Sequence, residues 1–407
     1  MNPVRTIYFD NASTTRPDPR VRDAMLPFLG EEYGNPSSHY YPLGQRASRA
    51  VEQARADVAA LIGASPEEII FTSGGTEANN LAIKGLLAEA PRGKDHVVTS
   101  NIEHYSVLNA LRALSLRGFS VTYLPVDDGG LVDPARLEAA VTERTALIAI
   151  MQANGEIGVV QDLPALAAVA ARRGIPFFSD GVASVGTVPV DVGALGVSAL
   201  SLAAHQFYGP KGAGALYLRA GTKLGRLFDG GLQERGYRCG TENVPGIVGL
   251  GAAASIAREE IPAWNRRLAP LRERLRRGLG ERIDFMNFTG HPERRLPGHL
   301  SFWIEYVEGE SLLLWLATNG VCAASGSACS SNIKGEDEDD LSSSHVLTAI
   351  GVPPEICHGS ICFSLGKEST AEEVDFVIGV MPGIVRRLWE MSPLYAERLK
   401  GAPPAGS

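Results

Sequence analysis

Short, almost continuously apolar runs alternate with helical patterns between residues 67 and 219, and this alternation constrains the fold more than any other feature. Such runs are typical of strands in a parallel sheet that helices cover on both faces. The segment 162–174 shows the intervening pattern, with apolar residues at helical spacing and Gly174 as a stop signal. The sequence therefore predicts an α/β fold. Its predicted strands are 67–72, 96–100, 120–125, 146–151, 176–180, 199–205 and 213–219.

The pattern changes after about residue 258, where a long charged helix is followed by an alternating strand at 299–307 and a helix closed by Gly320. This change predicts a second, smaller α+β domain. The predicted units are an N-terminal segment, 1–15, that packs with the small domain, a large domain, 16–260, a small domain, 261–400, and a tail, 401–407.

The composition indicates a globular protein without a nucleic-acid or membrane partner. Of the 407 residues 44% are hydrophobic and 21% are charged, and the net charge of −8 comes with no basic run of the kind that binds a nucleic-acid backbone. The longest apolar run, 247–257, is too short to span a bilayer, and the N-terminus lacks a leader pattern. We therefore expect a cytoplasmic protein.

The cysteines are five in number and form no CxxC pair; they are Cys239, Cys322, Cys329, Cys357 and Cys362. We expect neither a disulfide framework nor a zinc ribbon from this spacing. Each cysteine is either a small buried apolar residue or a reactive single thiol.

Polar residues follow three of the predicted strands. Residues 73–76, Ser-Gly-Gly-Thr, connect a strand to a helix, where free N–H groups and the helix dipole favour an anion, although a simple N-cap turn has the same pattern. His104 and Asp180 follow two other strands. Because open α/β folds bind ligands at the carboxyl ends of their strands, the sequence predicts a ligand site at this edge of the sheet.

Ten segments, in this order, carry a more specific signal: YFDNASTT, YGNPSS, FTSGGTEANNLAIKG, IEHYSVL, EIGVVQD, SVGTVPVDV, GPKGAGALYLR, RCGTEN, SGSACSS and FSLG. Together they resemble the NifS/IscS-type cysteine desulfurases of the class V aminotransferase superfamily over nearly the whole chain. The resemblance implies the pyridoxal-phosphate (PLP) transferase fold of type I, with a mostly parallel, seven-stranded-type sheet between helices. It also implies a homodimer and a mobile cysteine that takes up sulfur as a persulfide and passes it to a protein partner.

The resemblance also implies roles for individual positions. Gly75 and Thr76 match the phosphate cup of the family. His104 matches the imidazole that stacks on the pyridine ring, and Asp180 matches the carboxylate that pairs with the ring nitrogen. The remaining matches are His205, which precedes the Schiff-base lysine, Thr241, which reaches the phosphate from the second subunit, and Cys329, in SGSACSS, which carries the persulfide.

Other positions depart from the family pattern, and each departure removes an interaction. Gln206 stands where the resemblance places the Schiff-base lysine, and an amide nitrogen is neither nucleophilic nor basic. Cys362 replaces the arginine that pairs with the substrate carboxylate. The further departures, each of which loses a cofactor hydrogen bond, are Gly155, Ala183 and Ala203.

These departures lead us to expect a desulfurase-like protein that has lost PLP-dependent desulfuration, with PLP absent or only non-covalently bound. Cys329 then relays sulfur or ligates an iron–sulfur cluster shared with a partner, and the acidic run 336–340 is a solvated segment or a docking site for a basic partner. Two alternatives stay open. One is an active PLP-dependent cysteine desulfurase that binds the cofactor non-covalently. The other is a PLP-free enzyme that uses His104, Asp180 and His205 for a different acid–base reaction.

Overall fold

A computed structural model describes residues 6–325, 344–353 and 359–399. The chain alternates strands and helices over its first half, as the apolar pattern predicts. The strands of the described part are β1 (Ile7–Tyr8), β2 (Ile69–Thr72), β3 (His96–Ser100), β4 (Ser120–Leu124), β5 (Thr145–Ala149), β6 (Phe177–Asp180), β7 (Ala199–Ala203), β8 (Gly214–Leu218), β9 (Met286–Thr289), β10 (His299–Ile304), β11 (Val321–Cys322) and β12 (Ser360–Ser364).

The helices of the described part cover both faces of the central sheet and form much of the C-terminal part. They are α1 (Pro19–Leu29), α2 (Pro42–Ile62), α3 (Gly75–Ala88), α4 (Tyr105–Ser115), α5 (Pro134–Ala140), α6 (Leu163–Arg172), α7 (Val192–Leu195), α8 (Val244–Gly280), α9 (Gly309–Thr318), α10 (His345–Ala349), α11 (Ala371–Met391) and α12 (Pro393–Leu399). Within the described ranges, no helix combines the length and the apolar character that crossing a membrane requires.

The central sheet has seven strands in the order β2-β8-β7-β6-β5-β3-β4. The neighbouring strands β7, β6, β5, β3 and β4 run parallel, whereas β8 is antiparallel to both of its neighbours. Every residue of β5 and β6 is buried, which is the burial expected for inner strands of a parallel sheet. This architecture brings the carboxyl ends of five parallel strands to one edge.

The strand predicted over 199–205 ends earlier than expected, at Ala203. A 3₁₀ turn, Ala204–Gln206, follows it, and the Phe207 N–H donates to the Ala204 carbonyl at 3.1 Å. The turn takes the place of the last strand residues that the apolar run predicts. His205 and Gln206 therefore lie beyond the end of β7 and not within the sheet.

The C-terminal part contains a smaller antiparallel sheet in the order β12-β10-β9. The N-terminal segment packs on this part, because β1 pairs in parallel with β11 and Asn11 Nδ2 donates to the Ser364 carbonyl at 2.8 Å. Helix α8 runs through residue 260, where the sequence predicts the domain boundary. One continuous helix therefore joins the two sheets.

Candidate active site

One cavity of about 440 Å³ lies at the carboxyl ends of the parallel strands, where the sequence predicts a ligand site. The predicted site residues that line it are Gly75, Thr76, His104, Asp180, His205 and Gln206. Thr241 does not line this cavity and is exposed in the single chain. Cys329 lies outside the described residues.

Asp180, the last residue of β6, is buried and held by several donors. Its Oδ2 accepts a hydrogen bond from Asn79 Nδ2 at 2.7 Å, and its Oδ1 accepts one from the Val182 N–H at 2.9 Å. Ser201 Oγ on β7 lies 3.4 Å from Oδ1. These bonds fix the orientation of a carboxylate that can pair with a cationic group of a ligand.

His104 is the N-cap residue of α4, and its Nδ1 accepts a hydrogen bond from the Ser106 N–H at 3.1 Å. Because Nδ1 accepts this bond, the N–H group of the ring lies at Nε2. Ser106 Oγ lies 2.7 Å from His104 Nδ1 and accepts a hydrogen bond from Asn79 Nδ2 at 2.7 Å. Asn79 thus links Asp180 to Ser106, the residue that holds the His104 ring. The sequence did not single out Asn79, although it lies in the family-like segment FTSGGTEANNLAIKG, one turn after the start of α3.

Helix α3 begins at the cavity without a side-chain cap, because its N-cap residue is Gly74. Its first N–H groups are therefore open to a ligand, and the helix dipole adds partial positive charge. A side chain at Gly75 would place a Cβ 2.5 Å from Val182 Cγ2, so glycine is required for this close approach. This end of the helix fits an anionic group such as a phosphate.

The side chains of the 3₁₀ turn add no positive charge to the cavity. Gln206 Nε2 donates to the Ala12 carbonyl at 2.9 Å, so a neutral amide joins the turn to the N-terminal segment. His205 Nδ1 lies 3.3 Å from Thr14 Oγ1. Burial, together with the nearby Lys211 ammonium, lowers the pKa of His205, and the imidazole is neutral at pH 7.

Two carboxyl groups that the sequence analysis did not single out also line the cavity. Glu103 accepts hydrogen bonds from Ser100 Oγ at 2.6 Å and from the Met151 N–H at 3.0 Å, and burial raises its pKa to about 8. Glu156 accepts a hydrogen bond from Ser344 Oγ, and burial raises its pKa to about 7. Glu103 lies in the family-like segment IEHYSVL and Glu156 lies in EIGVVQD, but only the folded chain shows that both side chains are buried.

The positions that depart from the family pattern leave open space or a neutral contact. A Cβ on Gly155 would meet only Ala183 Cβ, at 4.0 Å. A second cavity of about 60 Å³ shares Gly155, Ala183 and Gln206 with the first. Cys362 on β12 is buried, and its Sγ lies 3.0 Å from His299 Nε2, which also lies 2.9 Å from the Gly155 carbonyl oxygen.

The aminotransferase class-V profile matches residues 7–377. The chain therefore belongs to the class-V aminotransferase family. It is 48% identical to the cysteine desulfurase IscS of Methanosarcina thermophila over 96% of this chain and 94% of that protein. It is 46% identical to the cysteine desulfurase IscS of Dictyoglomus turgidum over 97% of this chain and 98% of that protein. Among solved structures it resembles a NifS-like protein, with a TM-score of 0.86 and 37% identity over 94% of this chain and 100% of that one.

These matches confirm the predicted α/β fold of the type I PLP transferases and the resemblance to NifS/IscS proteins. Within the family, the chain is a cysteine desulfurase-like protein.

The expectation about the cofactor is wrong. The matches to IscS and to a NifS-like structure indicate a PLP-dependent cysteine desulfurase, not a chain without PLP that shares an iron–sulfur cluster. The physical reason is that Gln206 removes the covalent link and a base, but not the groups that can hold the cofactor without a covalent bond. The cavity keeps a buried carboxylate at Asp180, an imidazole at His104 and an uncapped helix N-terminus at Gly75, and these groups fit a pyridine ring with a phosphate.

Proposed function

We propose that this protein is a PLP-dependent member of the cysteine desulfurase family that binds the cofactor without a covalent bond and acts on a small thiol-bearing amine. One observation carries the proposal. Gln206, which the resemblance aligns with the Schiff-base lysine, lines the same cavity as Asp180, His104 and the start of α3. A neutral amide at this position removes the covalent link and leaves the non-covalent contacts.

Three groups would hold the cofactor. Asp180 would pair with the ring nitrogen, and its bond from Asn79, 2.7 Å long, keeps the carboxylate oriented. The N–H groups at the start of α3, with Thr76, would bind the phosphate. His104 would lie against the ring, and Ser106 holds its imidazole from the far side.

When bound, PLP supplies an electron-withdrawing ring that stabilises negative charge on the carbon next to the substrate nitrogen. The chain must then provide a base, and the Gln206 amide cannot accept a proton at neutral pH. His205 fits this task because burial lowers its pKa and keeps the ring neutral. Its Nδ1 lies 3.3 Å from Thr14 Oγ1, which leaves Nε2 to accept a proton from the substrate. In this proposal Cys329 receives the sulfur, as the resemblance implies.

The second candidate function is sulfur transfer through Cys329 without release of sulfur from a substrate. Gln206 favours it, because the amide removes a general base from the cavity. The two candidates differ in one measurement. Sulfide production from a thiol-bearing amine, dependent on His205, supports the first, whereas persulfide on Cys329 that appears only with an external sulfur donor supports the second.

The test of cofactor binding compares the unaltered protein with two variants. We expect PLP to bind the unaltered protein, to be removed by dialysis and to leave no borohydride-fixed adduct on lysine. Gln206→Lys is expected to gain such an adduct at position 206. Asp180→Ala should weaken PLP binding roughly 10- to 100-fold, the effect of losing one charge-assisted hydrogen bond.

The matched control is Asp229→Ala, because the Asp229 side chain is exposed and pairs with Arg226 at 3.3 Å, outside the residues that line the cavity. Its PLP affinity should equal that of the unaltered protein. Failure of PLP to bind the unaltered protein, measured by calorimetry, would overturn the proposal. Equal losses in Asp180→Ala and Asp229→Ala would remove Asp180 from the binding site.

A further inference from the structure

Three carboxyl groups line the cavity at the carboxyl ends of the parallel strands, and burial keeps one of them, Glu103, mostly protonated at pH 7. Asp180, Glu103 and Glu156 line it, and among its described lining residues there is neither a lysine nor an arginine. Burial lowers the pKa of His205 and of His345, so these two imidazoles are neutral at pH 7. A ligand carboxylate that enters the cavity therefore meets no side-chain cation in the described part of its wall.

The wall at Cys362 offers a neutral thiol. Cys362 lies on β12, which pairs with β10. On its other side, the Cys362 N–H donates a hydrogen bond to the Ala324 carbonyl at 2.8 Å. Burial raises the pKa of the thiol, and the carboxylates of Asp10 and Glu156 raise it further. The side chain therefore stays protonated and cannot act as a charged partner for a ligand.

The imidazole behind this thiol is also uncharged. His299 is buried on β10, and burial lowers its pKa to about 3. Its Nε2 lies within reach of both the Gly155 carbonyl, at 2.9 Å, and Cys362 Sγ, at 3.0 Å, so the ring N–H is already occupied. The neighbouring guanidinium, Arg295, does not line the cavity, and its Nη2 lies 3.5 Å from the carbonyls of Ile157 and Thr289.

We infer that the substrate of the proposed PLP-dependent reaction, on which this inference rests, is a primary amine without an α-carboxylate, such as a small aminothiol, and not an α-amino acid. A carboxylate moved from water into this cavity would lose its hydration without gaining a cation from the described wall, and it would share the cavity with Glu156 and Asp180. An amine without a carboxylate avoids both costs, and its nitrogen is attracted by the same acidic groups.

The experiment uses three stable ligands and isothermal titration calorimetry on the full chain. Pyridoxamine 5′-phosphate reports on the cofactor site alone. Phosphopyridoxyl-ethylamine and phosphopyridoxyl-L-alanine add an amine substituent and differ from each other only in the carboxylate. We expect the ethylamine adduct to bind the unaltered protein at least about tenfold more tightly than the alanine adduct, which is the effect of roughly 1.4 kcal/mol.

Two variants test the cause of this preference. Cys362→Arg introduces a cation and is expected to reverse the order of the two adducts. Cys362→Met has a similar bulk without charge and is expected to keep the order found in the unaltered protein. If Cys362→Arg does not fold, the relative affinity of the unaltered protein for the two adducts still tests the inference.

The outcomes separate the two proposals. Binding of pyridoxamine 5′-phosphate together with equal or tighter binding of the alanine adduct overturns the inference and leaves the cofactor proposal standing. Failure of all three ligands to bind overturns both. A reversed order in Cys362→Met as well as in Cys362→Arg would show that bulk and not charge sets the preference, and this also contradicts the inference.

Discussion

Glu103 is a buried carboxyl group that receives hydrogen bonds but has no cationic partner among the described residues. Burial raises its pKa from the ordinary 4.5 to about 8. Between these two values the native state holds the proton and the unfolded state releases it. Because the native state then binds more protons, the free energy of unfolding must fall as the pH rises through this window.

We therefore predict that stability decreases between about pH 5 and pH 8, with a contribution from Glu103 of up to about 1.4 kcal/mol per pH unit. Glu103→Gln, which keeps the shape and removes the titration, should flatten this dependence. Urea denaturation at several pH values measures it. Glu156, with a pKa of about 7, contributes in the same direction, so Glu156→Gln should remove a further part of the pH dependence of the free energy of unfolding. An unchanged slope in Glu103→Gln would contradict the assignment, and the exposed Glu31→Gln is the control.

At the scale of elements, a buried ion pair ties the segment before Thr241 to the central sheet. Glu234 Oε1 lies 2.7 Å from Arg55 Nη2 on α2, and Glu234 Oε2 accepts the Phe71 N–H of β2 at 2.8 Å. The backbone of Glu234 has a left-handed φ of 45°, which a non-glycine residue adopts only when its contacts hold it there. The pair therefore maintains a strained turn.

Glu234→Ala is predicted to lower the free energy of unfolding by about 3–5 kcal/mol, because the buried Arg55 charge loses its buried partner and keeps only the exposed Glu52 carboxylate among the described residues. The matched control is Glu52→Ala on the same arginine. The Glu52 side chain is 62% exposed, so its loss should cost less than about 1 kcal/mol. Urea denaturation of both variants gives the comparison, and equal losses would contradict the role given to the buried pair.

The strands of the central sheet were predictable because their apolar runs are local, and β3 matches its predicted bounds, 96–100. The uncapped start of α3 was predictable for the same reason, since Gly74 and Gly75 are adjacent in sequence. The contact between Cys362 and His299 was not, because 63 residues separate them and only the pairing of β10 with β12 brings them together. The hydrogen bond that Glu103 accepts from the Met151 N–H likewise joins residues 48 positions apart, from two different strand connections.

At the scale of the whole molecule, the segment 26–41 exposes several large apolar side chains in the single chain. Leu29 is 65% exposed and Tyr40 is 99% exposed. Exposed apolar groups this close in sequence are typical of an interaction surface. Thr241, which the resemblance assigns to a contact across subunits, is exposed as well. We therefore propose that this surface is covered in a homodimer.

Light scattering at micromolar concentration should give the mass of a dimer for the unaltered protein, with or without PLP, since these side chains do not line the cavity around Asp180. The double variant Leu29→Glu, Tyr40→Glu places two charges on the proposed interface, and burying unpaired charges is costly enough to shift the population towards monomer. Leu116→Glu is the control, because Leu116 is 91% exposed but lies outside this segment, after α4. A monomer mass for the unaltered protein would contradict the dimer. If the dimer persists in the double variant but is lost in Leu116→Glu, the interface lies at the surface around Leu116 and not at the segment 26–41.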